Sequence, residues 1–102
     1  MIIIKTTVNK QNIKKKIITI LISKKYAACV NVIENIKSNY IWKNKIITDK
    51  EDILLIKTTK EKENLVYKTI KEMHNYDTPE ISTLKTSKVD KNYLDWLLES
   101  TR

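Results

Sequence analysis

The sequence of 102 residues has no glycine and no phenylalanine, and it uses cysteine, proline, histidine and arginine once each. Because Cys29 is the only cysteine, an internal disulfide and a metal site built on paired cysteines are excluded. No apolar run approaches the ~20 residues of a membrane span, and the apolar start of the chain is too short for a signal peptide. We therefore expect a soluble, cytoplasmic protein with one domain, residues 1–102, and no membrane partner.

The formal net charge is +8, a value found in many nucleic-acid-binding proteins. The basic residues are 19 lysines and one arginine, and this bias accompanies 17 isoleucines, a combination typical of a genome rich in A and T. The lysines are also spread along the whole chain, with clusters only at 14–16 and 24–25. The charge therefore favours a solvated surface, and no nucleic-acid partner is predicted.

Hydrophobic periodicity predicts an α+β fold with the order β-α-β-β-α-β followed by a third helix. This is the order of the split βαβ, ferredoxin-like sandwich. The nearly unbroken apolar run at the start is typical of a central strand. The predicted strands are 1–7, 28–42, 46–59 and 81–86. The first predicted helix has its N-cap at Asn9 and ends at Lys25, the second spans 61–73, and the third begins after an N-cap at Asp90.

The two central strands form a predicted hairpin whose arms of about 14 residues far exceed the ~5–6 residues of a typical strand. Period-two alternation in the first arm breaks near residues 34–35, which predicts a β-bulge there. The chain reverses at 43–45, and Asn44 is expected to take a positive φ because no glycine is available. A four-stranded sheet cannot cover arms of this length. Because an uncovered extension aggregates unless another chain pairs with it, we expect an oligomer.

The only histidine and the only proline fall within one heptapeptide, residues 74–80. Pro79 disfavours helical geometry in the residue before it, so the chain must leave a helix and enter a strand here. His74 lies at the end of the second predicted helix and carries a side chain suited to metal binding and proton transfer near neutral pH. A functional ligand and a structural helix terminus both remain open for this residue.

Five short segments stand out across nearly the whole chain: residues 27–31 (AACVN), 38–42 (SNYIW), 56–58 (IKT), 74–81 (HNYDTPEI) and 93–97 (YLDWL). In order and spacing, these segments resemble the CutA family, the divalent-cation tolerance proteins. The resemblance implies a ferredoxin-like homotrimer whose long hairpins embrace neighbouring subunits, with a cleft between subunits and an association with copper and other divalent cations. It implies no reaction, so a non-enzymatic protein is expected.

The sequence departs from the family pattern in two respects. Asn44 stands where the family usually has glycine after the Trp-containing strand. Lys5 stands where some members have a thiol, and Met73 with His74 stands where they have a histidine pair, a set that the resemblance links to copper. Because lysine cannot replace a thiolate at neutral pH, we expect weak metal binding by His74 and Met73 and no tightly bound cofactor.

Four further residues are candidates for the cleft: Lys57, Trp42, Glu80 and Cys29. Lys57 closes an apolar strand, where a lysine either reaches solvent or binds an anion. For Trp42 and Cys29 a packing role is favoured, since tryptophan anchors interfaces and a cysteine in a strand is commonly a small buried apolar residue.

Other classes of protein fit the sequence less well. An RNA-recognition module would need aromatic residues and glycine on its central strands, which 53–56 lacks. Acylphosphatase-type catalysis would need an arginine in a phosphate cradle, whereas Arg102 is the last residue. Nucleophilic catalysis by Cys29 and His74 lacks an identifiable third group. The remaining alternative resembles the PII family, trimeric signalling proteins, and would bind an anionic metabolite between subunits through Lys57 and His74.

Overall fold

The computed structural model describes all residues, 1–102, as one four-stranded sheet, three α-helices and a short 3-10 turn. The strands are β1 (Ile2–Val8), β2 (Cys29–Trp42), β3 (Lys45–Thr58) and β4 (Ile81–Lys85), and the helices are α1 (Gln11–Ser23), α2 (Glu63–Met73), which follows the 3-10 turn Lys60–Lys62, and α3 (Lys91–Ser100). Across the sheet the order is β2-β3-β1-β4, and every neighbouring pair is antiparallel. The predicted α+β class and order of elements are confirmed.

The main core lies between one face of the sheet and the helices α1 and α2. Both helices place apolar residues four positions apart, Ile17 with Leu21 and Val66 with Ile70, so each presents one apolar stripe to the sheet. Each large aliphatic side chain buried in this way contributes about 1.5–3 kcal/mol of stability. The ten core residues are Ile2, Ile4, Val8, Ile17, Leu21, Ala27, Leu54, Ile56, Val66 and Ile70.

The opposite face of the sheet is only partly covered. Lys57 lies on this face, and its Nζ stands 5.4 Å from the ring centroid of Tyr93 in α3. Leu97 of α3 is fully buried but lies outside the main core, so α3 packs on this second side. Ile33 and Leu84 on the same face remain 46% and 51% exposed. A sheet that is apolar on both faces and covered fully on only one has surface left for a partner.

The hairpin of β2 and β3 extends beyond the rest of the sheet. β1 ends at Val8, which pairs with Asp52, and the seven pairs from Ile36–Glu51 to Trp42–Lys45 have no further strand beside them. We call this two-stranded part, residues 36–51, the arm. It gives the molecule its elongated dimensions of 47 × 26 × 21 Å.

A β-bulge marks the point where the arm leaves the sheet, and the prediction of a bulge near residues 34–35 is confirmed. Asn35 takes a φ of 59°, and its backbone N–H donates to Asp52 Oδ1 at 3.0 Å. The other oxygen of Asp52 accepts from Lys14 Nζ of α1 at 2.8 Å. One carboxylate therefore satisfies the irregular backbone and ties it to a helix.

The arm ends in a two-residue reversal in which Lys43 and Asn44 have φ values of 50° and 64°. Two consecutive positive φ values define a type I′ turn, the connection that matches the twist of a hairpin. The prediction for Asn44 is confirmed, whereas the positive φ of Lys43 was not expected.

The two predicted ends of the first helix were wrong. Lys10, not Asn9, occupies the N-cap of α1, and no side chain caps it. The helix stops at Ser23 because Lys25 turns into the left-handed region with a φ of 59°. The predicted cap of the last helix is confirmed, since the Asp90 carboxylate accepts from the Asn92 N–H at 3.2 Å.

Candidate functional site

A cleft of about 620 Å³ lies between one face of the arm and the segment 74–80. From β2 the arm contributes Ser38, Tyr40 and Trp42, which share one face because they are two apart along the strand, together with Asn39, and from β3 it contributes Glu51. The opposite wall comes from the segment that leaves α2. The lining residues are Thr7, Ser38, Asn39, Tyr40, Trp42, Glu51, Tyr76, Asp77, Thr78 and Glu80.

Glu51 is the most buried carboxylate of the cleft, with 8% of the residue exposed. The Tyr76 hydroxyl donates to Glu51 Oε2 at 2.6 Å and thereby joins the two walls. Burial alone would raise the pKa of Glu51, but hydrogen bonds from Ser38, Tyr76 and Thr7 hold the pKa below its ordinary value. Burial and the same carboxylate raise the pKa of Tyr76, so the phenol stays protonated and the carboxylate ionised near neutral pH.

His74 fixes the start of the 74–80 segment against the end of β1. Its Nδ1 accepts from the Tyr76 N–H at 3.2 Å, and its Nε2 lies 2.7 Å from the Thr7 carbonyl oxygen. A nitrogen that accepts carries no proton, so the neutral ring has its proton on Nε2 and donates it to Thr7. Both ring nitrogens are therefore engaged within the chain, and they position Tyr76 beside Glu51.

The residues predicted to hold copper lie in different surroundings. Met73 packs against the main core, whereas His74 faces the backbone of Thr7. Lys5 pairs with Glu80 at 3.4 Å. No three or more His, Cys, Asp or Glu side chains stand in a group that could hold a metal ion. Metal binding by His74 and Met73 stays a prediction, and it would require a ring nitrogen to leave a hydrogen bond.

The four predicted cleft residues fall in two places. Trp42 and Glu80 line the cleft together, while Lys57 and Cys29 are direct cross-strand partners elsewhere on the sheet. Cys29 pairs with Lys57 and Thr7 pairs with Ile53, so the two places lie four residues of β3, or roughly 13 Å, apart.

The charge of the cleft is opposite to that of the whole chain. Its ten lining residues include Glu51, Asp77 and Glu80 but no lysine and no arginine. Asp49 stands at its edge and accepts a hydrogen bond from the Tyr40 hydroxyl. This hydrogen bond, with further contributions from burial and from Glu51, raises the pKa of Tyr40. The site is thus complementary to a cation.

A family model described as CutA1 divalent ion tolerance protein matches residues 2–100. The chain belongs to the CutA family. This match confirms the resemblance that the five sequence segments indicated.

None of the three α-helices is long and apolar enough to cross a membrane.

Relatives in the CutA family come from bacteria, archaea, plants and animals. The divalent-cation tolerance protein CutA of Thermotoga maritima is 45% identical over 80 residues, which are 78% of this chain and 78% of that protein. The chloroplastic protein CutA 1 of Oryza sativa is 38% identical over 101 residues. Those residues are 99% of this chain but 57% of the rice protein, so the chain spans little more than half the length of that relative.

Solved CutA structures superpose on nearly the whole chain. CutA1 from Pyrococcus horikoshii gives a TM-score of 0.93 at 34% identity and covers 100% of this chain and 99% of its own. CutA1 from Oryza sativa gives 0.93 at 38% identity and covers 99% of this chain and 93% of its own. The fold described above is therefore that of the CutA family.

Of the ten lining residues, sequence reasoning assigned only Trp42 and Glu80 to a site, and it missed the connected side chains Glu51 and Tyr76 as well as Tyr40. The available signal was the acidic interruption of an apolar strand at 49–52. It was interpreted only as a polar middle, although carboxylates inside a strand need donors from other elements.

Proposed function

We propose that this chain acts as a divalent-cation tolerance protein in the form of a homotrimer. In this proposal the fold is the ferredoxin-like sandwich, the protein is cytoplasmic and non-enzymatic, and a divalent cation binds weakly at or near an inter-subunit cleft. Membership of the CutA family supports the cation-tolerance role. The observation that supports the oligomer is the arm, because apolar side chains at its tip are exposed to solvent in the single chain.

The arm has one face suited to contact with another subunit. Ile41 and Ile46 are cross-strand partners on the face opposite the cleft, and they are 71% and 80% exposed. Adjacent exposed isoleucines at the tip of an unprotected hairpin are unfavourable in water. A neighbouring chain that covered them would remove this apolar surface from water, so their exposure supports an oligomer, and the number three comes from the family resemblance.

The assembly is tested by light scattering coupled to size exclusion. We expect a mass of three chains at low micromolar protein, because obligate interfaces commonly bury upwards of ~2,000 Å² in total. A mass of one chain of 12.0 kDa under these conditions would contradict the proposal.

Weak copper binding is the second part of the proposal. A thioether and one imidazole suit Cu(I) better than Cu(II), since soft sulfur prefers the softer ion. Substitution His74→Ala should weaken Cu(I) binding by at least about tenfold, which corresponds to ~1.4 kcal/mol. Titration against competing chelators measures this, with Asn75→Ala as the control in the same segment. If His74→Ala binds both copper ions as tightly as the unaltered chain, the role of His74 is structural alone.

The proposal that the protein is not an enzyme is supported by the distance between its two reactive side chains, Cys29 and His74. Cys29 and His74 belong to places roughly 13 Å apart along β3, beyond the hydrogen-bond reach that nucleophilic catalysis requires. The alternative of a PII-like protein that binds an anionic metabolite has less support, because Lys57 lies against Tyr93 and the cleft has no basic lining residue.

A further inference from the structure

The tip of the arm, residues 41–46, carries positive charge that its own chain does not neutralise. The strand residues on either side of the reversal, 36–48, include lysines but no aspartate or glutamate. Lys43 and Lys45 are exposed at the tip, and neither forms an ion pair within the chain. The two isoleucines of the tip are exposed as well. The tip therefore combines unpaired positive charge with uncovered apolar surface.

The cleft between the arm and the 74–80 segment carries the opposite charge. Asp77 and Glu80 are exposed on the wall that this segment forms. Glu80 lies 3.4 Å from Lys5, whereas Asp77 has no ion-pair partner. The tip lysines of the same chain do not serve, because they lie outside the lining of the cleft. Within one chain, the acidic cleft and the basic tip both lack a partner.

A second copy of the chain can reach the cleft from the partly covered side of the sheet. Glu51 of the cleft and Lys57 are an even number of positions apart along β3, so they share this face. A neighbouring chain that covers the exposed Ile33 and Leu84 there also approaches the cleft. The arm extends roughly 20 Å beyond the end of β1, so its tip is the part of each chain best placed to reach an adjacent one.

The contact in a ring of three chains must join two different surfaces of the chain. Such a ring has heterologous interfaces, which repeat from one copy to the next until the ring closes. Contact between two tips would oppose lysines to lysines, and contact between two clefts would oppose carboxylates to carboxylates, so both are repulsive. Contact of a tip with a cleft pairs opposite charges, and every chain supplies one of each.

We propose that the tip of the arm docks into the cleft of the next copy, where its lysines pair with Asp77 and Glu80. This inference rests on the proposed homotrimer and adds which surfaces of the chain meet. The ion pairs set the register of the contact, since opposite charges across an interface provide specificity more than affinity. The exposed isoleucines of the tip supply apolar surface for burial. The cleft is thus a site that the neighbouring subunit completes.

Cross-linking tests whether the tip and the cleft of different copies lie together. In a Cys29→Ser background, which removes the only cysteine, Asn44→Cys and Thr78→Cys place one thiol at each surface and leave their charges intact. We expect a short bismaleimide to join the chains into dimers and trimers on a denaturing gel. The control combines Asn44→Cys with Glu61→Cys, at an exposed position outside the cleft, and should give far fewer linked chains. An equal yield from the two pairs would overturn the proposal.

Charge reversal tests the ion pairs, with light scattering over a range of protein concentrations as the measurement. Lys43→Glu with Lys45→Glu should raise the concentration needed for assembly by at least about tenfold, because the tip then repels the cleft. Adding Asp77→Lys with Thr78→Lys reverses the charge of the cleft in the same chain and should recover most of this loss. Both cleft positions are exposed, and Glu80 keeps its pair with Lys5.

The control for charge reversal makes the same change of net charge elsewhere. Lys15→Glu with Lys16→Glu alters exposed positions on α1 and should assemble as the unaltered chain does. Circular dichroism verifies that each variant is folded. A tip variant that assembles like the control, or a combined variant no better than the tip variant, would overturn the proposal. A monomeric unaltered chain would overturn the homotrimer as well, whereas an intact assembly that fails these tests would overturn only the docking of the tip.

Discussion

Two adjacent residues at the tip of the arm hold positive φ without a glycine. Asparagine enters this region readily because its short polar side chain can hydrogen-bond locally, whereas lysine has no such advantage. Lys43 at 50° and Asn44 at 64° therefore leave the reversal less favourable than an Asn-Gly turn would be. The turn is maintained by the pairing of the strands on either side of it.

Substitutions at Asn44 should separate according to the left-handed penalty. We expect Asn44→Gly to be neutral or mildly stabilising, and Asn44→Val to reduce the free energy of unfolding by about 1–2 kcal/mol. Thermal melts measure both. The control is Asn12→Val in α1, where asparagine and valine have similar helix propensities. Equal stability of the Gly and Val variants at position 44 would mean that the turn does not depend on this residue.

His74 should contribute to stability through both ring nitrogens. Substitution His74→Ala leaves the Thr7 carbonyl and the Tyr76 N–H without their partner, so we expect a loss of about 1–3 kcal/mol in the free energy of unfolding. Asn75→Ala is the control, because that side chain makes one exposed contact of 3.3 Å with Asn9. Urea unfolding at neutral pH measures both variants. A His74→Ala variant as stable as the control would show that these hydrogen bonds contribute nothing net.

At the scale of elements, the bulge and α1 are joined by Asp52. A hydrogen bond from Lys14 lowers the pKa of Asp52 below its ordinary value. Burial acts in the opposite direction, and the hydrogen bond from the Asn35 N–H lowers the pKa further. The side chains of Lys14 and Asp52 are only 13% and 10% exposed, so the pair is little screened by solvent. This contact therefore connects the base of the arm, next to Glu51 of the cleft, to α1.

The Asp52 contact should make stability fall on acidification. A carboxyl group whose pKa is lower in the folded state stabilises the fold above the unfolded pKa, about 3.9, and this stabilisation disappears as the pH falls through the folded value. We expect Asp52→Asn to lose about 2–4 kcal/mol at pH 7 and the difference from the unaltered chain to shrink below about pH 4. Urea unfolding over this pH range measures it.

The control for Asp52 is the same substitution in an exposed ion pair. Asp95 pairs with Lys91 at 2.7 Å on α3 and is 57% exposed. Asp95→Asn should change stability by less than about 1 kcal/mol, as surface pairs do. A constant difference between Asp52→Asn and the unaltered chain from pH 7 to pH 3 would contradict the assignment of acid sensitivity to this contact.

At the scale of the whole molecule, hydrophobic surface is divided between a buried core and an uncovered remainder. The helices α1 and α2 cover one face of the sheet, while the arm and part of the other face stay in contact with solvent. The net charge of +8 would oppose association by repulsion, so an assembly must gain its stability from this apolar surface.

Charge at the tip of the arm should therefore prevent assembly. We expect Ile41→Lys with Ile46→Lys to give a folded chain of monomeric mass, because both side chains are exposed in the single chain and their loss costs its fold little. Light scattering gives the mass and circular dichroism the fold. Ile22→Lys on α1, at a position 41% exposed, is the control and should keep the assembly. An unchanged mass for the arm variant would exclude this face as the subunit contact.

Local patterns in the sequence determined the order of the elements, the bulge near 34–35, the positive φ of Asn44 and the cap at Asp90, because each depends on residues close together in the chain. The five segments were also sufficient to identify the family. The end of α1 was missed, since lysine at 24 and 25 suits a helix terminus in general while the actual stop follows from the left-handed turn at Lys25.

The tertiary structure alone decided the candidate site. The contact of His74 with Thr7 spans 67 residues, that of Lys14 with Asp52 spans 38, and that of Tyr76 with Glu51 spans 25. Hydrophobic periodicity cannot predict such distant pairs, because it indicates which face of an element is buried and not which polar side chains contact each other there. Trp42 and Glu80 line one cleft although they are far apart in the sequence, whereas Lys57 and Cys29 pair elsewhere through the strand register.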